Sequence, residues 1–316
     1  MRKTLIFAGL LVLISVGCAN DAGAQEMIDH HHPMTSASSD SVNGSITQDW
    51  ARQRLAKSPR HQEWVNVKNG NRNVSSFIVY PEVKNKATAI VVIHEIFGMT
   101  DWVQQLTDEL AEAGYIAIAP DLLSGMGPNG GGTSAIAATG NNAVGLAIRG
   151  LPPDQITADL NAVADYVSKL PASNGRVVVT GYCWGGSQSF RFATNRPSLK
   201  AAFVFYGTAP TVTPQDPSLD KSALEKIVAS VYGFYAENDA RVDATLPATI
   251  DVMKDLKKKY DPVTYAGAGH GFMRAGEPNA PPPAVDADQK TKDAYAANRK
   301  ARDDAWERWK KILKGL

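Results

Sequence analysis

Runs of apolar residues alternate with amphipathic stretches along most of the chain. Residues 87–94 form a continuous, largely β-branched run, which is typical of a strand buried on both faces of a parallel sheet. Apolar residues then recur at helical spacing over residues 102–113, and Gly114 stands where a helix C-cap is expected. The same reasoning predicts strands at 75–80, 115–119, 176–180, 201–206, 227–235 and 263–265, and helices at 47–56, 156–170, 185–194, 244–258 and 286–313.

Regular alternation of strand and helix favours one architecture. It predicts an α/β fold with a doubly wound, mostly parallel sheet and helices on both faces, whose ligands bind at the carboxyl ends of the strands. The Gly- and Ala-rich excursion at residues 124–151 interrupts this alternation. Its triplet Gly130-Gly131-Gly132 is not followed by the Lys-Ser of a phosphate-binding loop. A mobile lid over the strand ends and an ordinary surface loop both remain open for this excursion.

Basic residues and a short apolar run stand at the N-terminus. Arg2 and Lys3 precede an apolar run at residues 5–14, and small residues follow it. The run is shorter than the roughly 20 apolar residues that span a bilayer, and no later stretch approaches that length. We therefore expect a secretory signal peptide over residues 1–24 and no membrane span.

Two routes of processing stay open. Cleavage after Ala24 predicts a periplasmic or secreted protein, whereas acylation of Cys18, in an imperfect lipoprotein box, would leave a lipid anchor. Residues 25–46 are expected to be a flexible linker, and residues 47–316 a single domain. Histidines 30–32 in the linker lack the spaced partners of a metal site, so we predict no metal site there.

Charge excludes one class of partner. Removal of residues 1–24 leaves 31 basic and 31 acidic residues, from totals of 33 and 32, because Arg2, Lys3 and Asp21 are lost. A chain with a net charge near zero does not bind nucleic acid through bulk attraction to phosphate. A small molecule is the partner that this composition favours.

Only two cysteines occur in the chain, and Cys18 is lost with the signal peptide or acylated. Cys183 then stands alone, so it cannot form an internal disulfide. The number of cysteines leaves two interpretations of Cys183 open, a small buried core residue and a reactive thiol.

The sequence around Cys183 favours the reactive thiol. Residues 181–186 read Gly-Tyr-Cys-Trp-Gly-Gly between a predicted strand and a predicted helix. This is the pattern of the nucleophile elbow of α/β-hydrolases with cysteine in place of serine, in which glycines two residues either side permit a sharp turn. A thiol at a helix N-terminus is also favoured as thiolate. The sequence therefore predicts Cys183 as the nucleophile.

An elbow needs a base and an acid further along the chain. His270 is the one histidine after the elbow, in a loop that follows the last short strand. Asp239 follows the strand at 227–235 closely and is the predicted acid, while Asp243 is more typical of a helix N-cap.

A second polar cluster ends the strand at 87–94, where the sequence reads His-Glu-Ile-Phe-Gly. In this fold the loop supplies one N–H of the oxyanion hole, here that of Ile96, and Trp184 supplies the other. Glu95 is expected to project into the site and compete for the proton of the thiol. His94 is expected to be structural.

These motifs resemble the dienelactone hydrolase family. The resemblance covers residues 74–313 and rests on the His-Glu-Ile-Phe-Gly segment, Ala-Pro-Asp-Leu at 119–122, the cysteine elbow, and Gly-His-Gly-Phe-Met-Arg at 269–274. It implies that Glu95 holds the thiol at rest and that Arg274 binds the carboxylate of the substrate. The second arginine that the family places after Pro-Asp-Leu has no counterpart here.

The resulting hypothesis is an exported hydrolase that opens small, possibly anionic lactones or esters through an acyl-enzyme, without a cofactor. Two alternatives remain. One is a broader esterase, thioesterase or peptide hydrolase, and the other is a non-catalytic envelope binding protein on the same fold.

Overall fold

The computed structural model describes residues 48–213, 216–275 and 282–316. Within these residues the chain forms one eight-stranded sheet in the order β1-β2-β4-β3-β5-β6-β7-β8. The strands are β1 Gln62–Asn69, β2 Arg72–Val79, β3 Ala87–Ile93, β4 Ile116–Pro120, β5 Ser173–Tyr182, β6 Ala201–Phe205, β7 Ser230–Ala236 and β8 Tyr260–Tyr265.

The sheet is antiparallel at one edge and parallel elsewhere. β1 pairs antiparallel with β2, and β2 pairs antiparallel with β4. All pairings from β4 through β3, β5, β6 and β7 to β8 are parallel. β3 lies in the middle, and from Ala89 to Ile93 its side chains are inaccessible to solvent. This agrees with the continuous apolar run that predicted it, because a central parallel strand is covered on both faces.

Helices connect the strands. They are α1 Asp49–Ala56, α2 Asp101–Glu112, α3 Thr133–Ala137, α4 Ala143–Arg149, α5 Pro153–Ser168, α6 Trp184–Asn195, α7 Lys221–Leu224, α8 Ala240–Asp243, α9 Leu246–Asp255 and α10 Gln289–Lys314.

One apolar layer covers each face of the sheet. On one face, Leu160 and Val163 of α5 join a buried cluster with Phe190 of α6. On the other face, Leu106 of α2 and Trp309 of α10 belong to a second buried cluster. Burial of a large side chain of this kind stabilises the fold by about 2–3 kcal/mol. The prediction of an α/β-hydrolase architecture, a mostly parallel sheet with helices on both faces, is confirmed.

β1 has no counterpart among the predicted strands. It is an edge strand whose exposed positions, such as Trp64 and Asn66, make its sequence mostly polar. A two-residue turn joins it to β2, and Gly70 adopts a φ of 57° in that turn. A two-residue Gly-Asn loop between strands, here Gly70-Asn71, is a known hairpin signal, so the sequence contained the information that predicts β1.

The helix predicted over residues 244–258 corresponds to α9, Leu246–Asp255, and the short helix α8 precedes it. α8 ends at Asp243, and Thr245 occupies the N-cap position of α9. The expectation that Asp243 caps a helix is therefore wrong. Pro247 lies in the first turn of α9, where a proline is favoured because its missing N–H is not needed there.

The excursion at 124–151 is folded onto the domain through α3 and α4. Thr133, at the start of α3, donates from its N–H and its hydroxyl to the two carboxylate oxygens of Asp121, both at 2.8 Å. Ile136 of α3, together with Val144 and Ile148 of α4, is buried in the same cluster as α5. Both halves of the excursion thus pack against the sheet.

Several sequence-based expectations lie outside the described residues. They concern the signal peptide at 1–24, acylation of Cys18, the linker at 25–46 and its three histidines. Among the helices that the structure does describe, none combines the length and hydropathy needed to cross a membrane.

Candidate active site

Cys183 lies alone between β5 and α6. Its backbone has φ 56° and ψ −119°, a conformation that residues with a side chain rarely adopt. Strain of this kind costs about 1–3 kcal/mol and persists where the surrounding structure holds it in place. Here the N–H of Cys183 donates to the carbonyl of Phe205 at 3.1 Å, which anchors the turn to β6. The residue is half-buried and has no disulfide partner.

Three glycines make this turn possible. A Cβ placed on Gly181 would lie 1.9 Å from the carbonyl oxygen of Gly185, and one on Gly185 would lie 2.3 Å from that of His94. A Cβ on Gly186 would lie 2.4 Å from the carbonyl oxygen of Phe205. Backbone atoms of neighbouring segments therefore lie against all three glycines, and a methyl group at any of them would clash with the backbone.

His270 and Asp239 meet beside the thiol. Asp239 follows β7 and is 7% exposed. Its Oδ2 lies 2.5 Å from Nδ1 of His270, in the loop after β8. With the proton on Nδ1, the ring presents Nε2 as an acceptor. Cys183 and Asp239 both raise the pKa of His270, so the three side chains belong to one site.

The electrostatics of this site favour the imidazolium. Burial disfavours the charged ring, but hydrogen bonds to Asp239 and Cys183, together with their negative charges, outweigh it. The pKa of His270 rises from 6.5 to about 9 as a result. The imidazole of His270 therefore has a high affinity for a proton that it takes from the thiol. Asp243 ends α8 and has no recorded bond to the imidazole, so Asp239 is the carboxylate that His270 contacts.

Two backbone N–H groups near Cys183 have no acceptor among the described residues. Trp184 is the first residue of α6, so its N–H has no acceptor within the helix. No protein acceptor is recorded for the N–H of Ile96 within the described chain either. His94 is fully buried, and its ring stacks on that of Trp184 at 5.5 Å between centroids, which brings the loop of Ile96 against the elbow. Donors so placed can stabilise a negative oxygen.

Glu95 lies buried beside a cation. It is 3% exposed, and its Oε2 lies 3.4 Å from Nε of Arg274. Its other oxygen, Oε1, has no hydrogen-bond partner among the described residues. The guanidinium of Arg274 lies 5.4 Å from the ring centroid of Phe97. Burial disfavours its charge, but the charge of Glu95 outweighs this and raises the pKa of Arg274.

Arg274 reaches this position because Gly271 has no side chain. A Cβ at Gly271 would lie 2.4 Å from Nη2 of Arg274, and its φ of 80° also favours glycine. The Gly-His-Gly sequence thus helps to position both His270 and Arg274. It turns the chain at the histidine and lets the arginine fold back next to it.

Tyr206 is a site residue that sequence reasoning missed. It follows β6, has a φ of 39° and is fully buried, and no partner for its hydroxyl is recorded in the described chain. Its ring lies edge-on to His270 at 4.9 Å between centroids. Burial, then the charge of Glu95, raises its pKa well above 10.0, so the phenol stays protonated and can donate a hydrogen bond. The sequence could have indicated Tyr206 through its position at the carboxyl end of a predicted parallel strand, where ligands bind in this fold.

Glu95 is not bonded to the thiol in this structure. The described residues contain no hydrogen bond between Glu95 and Cys183, and the thiol interacts with His270 instead. The arrangement is the one in which the base can receive the proton of the nucleophile. No group of three potential metal-ligating side chains occurs in the described part of the chain.

Comparison with known proteins gives a consistent result. The model of the dienelactone hydrolase family matches residues 74–316. A proposed carboxymethylenebutenolidase of Salmonella typhi is 29% identical over 204 residues, covering 63% of this chain and 73% of that protein. One of Saccharolobus solfataricus is 28% identical over 270 residues, covering 76% and 93%.

A solved structure shows the same fold. The crystal structure of a proposed dienelactone hydrolase from Klebsiella pneumoniae superposes with a TM-score of 0.65 at 22% identity, covering 81% of this chain and 99% of that one. With the family match over residues 74–316, these results show that the chain belongs to the dienelactone hydrolase family and is a hydrolase acting on ester or lactone bonds.

Proposed function

We propose that this hydrolase opens small, anionic lactones or esters with Cys183 as its nucleophile and an acyl-enzyme as intermediate. One observation carries the proposal. Cys183 occupies the strained elbow at the start of α6 and raises the pKa of His270, whose Nδ1 lies 2.5 Å from Oδ2 of Asp239. This is the geometry of an activated nucleophile, in which a base takes the proton and an acid orients the base.

The reaction follows from these positions. His270 accepts the thiol proton at Nε2, and the sulfur of Cys183 attacks the carbonyl carbon of the substrate. The carbonyl oxygen becomes negative and accepts hydrogen bonds from the N–H groups of Ile96 and Trp184. When the C–O bond breaks, His270 returns the proton to the leaving oxygen, which in a lactone stays attached to the acyl group. Water, deprotonated by His270, then releases the acid and restores the thiol.

Arg274 supports a preference for anionic substrates. Its guanidinium is paired with Glu95 at 3.4 Å, the one ion pair of Arg274 among the described residues. A carboxylate on the substrate can replace this contact with a bidentate one. Glu95 would then lose its counter-ion, and its side chain would be free to change partners within the site.

We also propose that the enzyme is exported, in line with the signal pattern at residues 1–24. Cell fractionation and intact-mass analysis of the mature protein test this. A chain beginning near Gln25 in the periplasm or medium supports simple cleavage, a lipid-modified Cys18 supports an anchor, and an unprocessed cytoplasmic chain overturns export.

The central experiment is intact-mass spectrometry after brief incubation with p-nitrophenyl acetate or a dienelactone. Cys183→Ala is the variant that cannot form the adduct, and Cys183→Ser keeps an oxygen nucleophile in the same frame. An acyl adduct that maps to Cys183 in the wild type and is absent from Cys183→Ala supports the proposal. Turnover that survives in Cys183→Ala overturns the assignment of the nucleophile.

A second measurement tests the substrate class. Specificity constants are compared for a carboxylated lactone and its methyl ester, in the wild type and in Arg274→Gln. We expect the wild type to prefer the carboxylate about tenfold or more and the variant to lose this preference, since a charge-assisted hydrogen bond contributes about 1.5–3 kcal/mol. Equal constants for both lactones in the wild type would overturn the anionic preference.

If no adduct forms and no ester, lactone, acyl thioester or short peptide is turned over, the protein is a binding protein rather than an enzyme. Turnover of thioesters or peptides above lactones would instead move the assignment to a broader hydrolase.

A further inference from the structure

A groove lies away from the nucleophile, between the β1–β2 hairpin and the Gly-rich start of the excursion. It encloses about 750 Å³, within the range of small-molecule sites. One wall is formed by residues 64–75 of the hairpin, and the other by residues 121–134. None of the residues placed above in the catalytic machinery lines it.

The hairpin wall carries unused amide groups. Asn66, Asn71 and Asn73 line the groove and are exposed, and no hydrogen bond of their side chains is recorded in the described chain. Each side-chain amide offers two N–H donors and one carbonyl acceptor. A ligand that carries hydroxyl groups, which donate and accept, complements such a wall.

Both charged residues of the groove are already hydrogen-bonded. Arg72 donates from Nε to Asp159 and from Nη2 to the carbonyl of Leu122, each at 2.9 Å. Asp121 accepts the two hydrogen bonds from Thr133 at the start of α3. The groove therefore offers no unpaired cation, while Asp121 keeps its negative charge, and both facts disfavour a phosphorylated or carboxylated ligand.

Trp64 gives the groove one flat apolar surface. It is 48% exposed, and its ring packs against Phe77 at 5.5 Å between centroids. No aliphatic side chain lines the groove, so a lipid or a hydrocarbon ligand has little to contact. An indole beside free amides matches a sugar ring, which has C–H groups on its faces and hydroxyls around its rim.

Glycines form the opposite wall. A Cβ on Gly132 would lie 2.2 Å from Oδ2 of Asp121, and one on Gly131 would lie 2.4 Å from Cβ of Ala135. The chain can run this close because these residues lack side chains, so the wall is backbone, with its own peptide groups as further polar contacts.

From this lining we infer that the groove binds a neutral oligosaccharide, with Trp64 as the stacking platform and the hairpin asparagines as hydroxyl partners. The inference does not depend on the hydrolytic mechanism. It gives the Gly-Gly-Gly triplet, which no catalytic step uses, a role in ligand contact.

Binding of neutral trisaccharides to the full-length protein tests the inference. Cellotriose, maltotriose, xylotriose and tri-N-acetylchitotriose are titrated by calorimetry and by saturation-transfer NMR, with trigalacturonate as the anionic comparator. We expect saturable binding of at least one neutral trisaccharide, weakened about tenfold in Trp64→Ala and largely retained in Trp64→Phe.

Lys68→Ala is the matched control. Lys68 points to the same side of β1 as Trp64 but does not line the groove, so the variant should bind like the wild type. Thermal unfolding shows whether each variant is folded. The inference is overturned if no neutral trisaccharide binds at about 10 mM, if Trp64→Ala binds unchanged, or if only trigalacturonate binds.

Discussion

Two carboxylates, Asp108 in α2 and Glu95 at the end of β3, are both buried, yet their surroundings differ. Asp108 accepts from the hydroxyl of Ser58 at 2.6 Å and from Arg60 at 2.9 Å and 2.6 Å. Glu95 has an ion pair with Arg274 at 3.4 Å and an oxygen for which no partner is recorded in the described residues. One carboxylate is fully satisfied and the other is not.

The difference separates structural from functional burial. Removing a carboxylate from water costs several kcal/mol, and only full hydrogen bonding offsets this. Asp108 meets that condition and ties the segment after α1 to α2. Glu95 does not meet this condition, so a contribution to stability does not explain why a carboxylate is buried at this position. An incompletely paired buried charge can change partners at little further cost, which suits a site where a substrate must enter.

Asp239 gives the strongest test of this comparison, because it is buried and hydrogen-bonded and is nevertheless the proposed catalytic acid. Asp239→Asn should lower kcat about 10⁴-fold, since an amide stabilises the wrong tautomer of His270. Ester hydrolysis under saturating substrate measures this. Asp243→Asn, four residues further on and without contact to the imidazole, is the control and should keep its activity. A comparable loss in both variants would reassign the acid.

Asp108→Asn should lower the free energy of unfolding by about 2 kcal/mol, because it removes the close ion pair with the half-buried Arg60, whose remaining partner, Glu112, lies at 3.9 Å. Urea denaturation followed by circular dichroism measures the change. Asp165→Asn is a suitable control, since Asp165 pairs with Arg196 but is 55% exposed. If both substitutions have equal effects, burial does not set the strength of these pairs.

His270 should make stability depend on pH. Its pKa is raised from 6.5 to about 9 on folding, so its contribution is complete below pH 6.5 and is lost as the pH rises through 9. The wild type should lose up to about 3 kcal/mol across this interval relative to His270→Gln. Unfolding by urea at a series of pH values tests it, and parallel curves for the two proteins would contradict the assigned proton.

Glu95→Gln should give the smallest change in stability, within about 1 kcal/mol of the wild type, because the loss of the 3.4 Å ion pair with Arg274 is offset by removing a buried, incompletely paired carboxylate charge. The same urea titration applies, with Asp108→Asn alongside it. Hydrolysis of the carboxylated lactone should fall in Glu95→Gln while the protein stays folded. Destabilisation as large as that of Asp108→Asn would show that Glu95 is a structural carboxylate after all.

Much of the fold and the site could be read from local sequence. The apolar run of β3 and the glycines around Cys183 encode their structures within a few residues, since burial on both faces and the absence of Cβ atoms are properties of the segment itself. Asp239 and His270 could be found because the order of nucleophile, acid and base follows from the strand order of the fold.

What the sequence did not predict depends on distant partners. Tyr206 has no motif, and its role arises from packing against His270 after both strands are in place. Arg72 offers no free charge to the groove because it is bound by Asp159, which is 87 residues away. The predicted start of α9, two residues too early, was a different kind of error, since Pro247 marks the first turn of that helix in the sequence itself.

The glycine contacts of the elbow set limits on how this protein can change. At positions 181, 185 and 186 even one methyl group would force two backbone segments apart. The side chain at 183 instead stands in partly open space. The turn therefore tolerates a change of side chain at position 183 better than it tolerates a single methyl group at 181, 185 or 186.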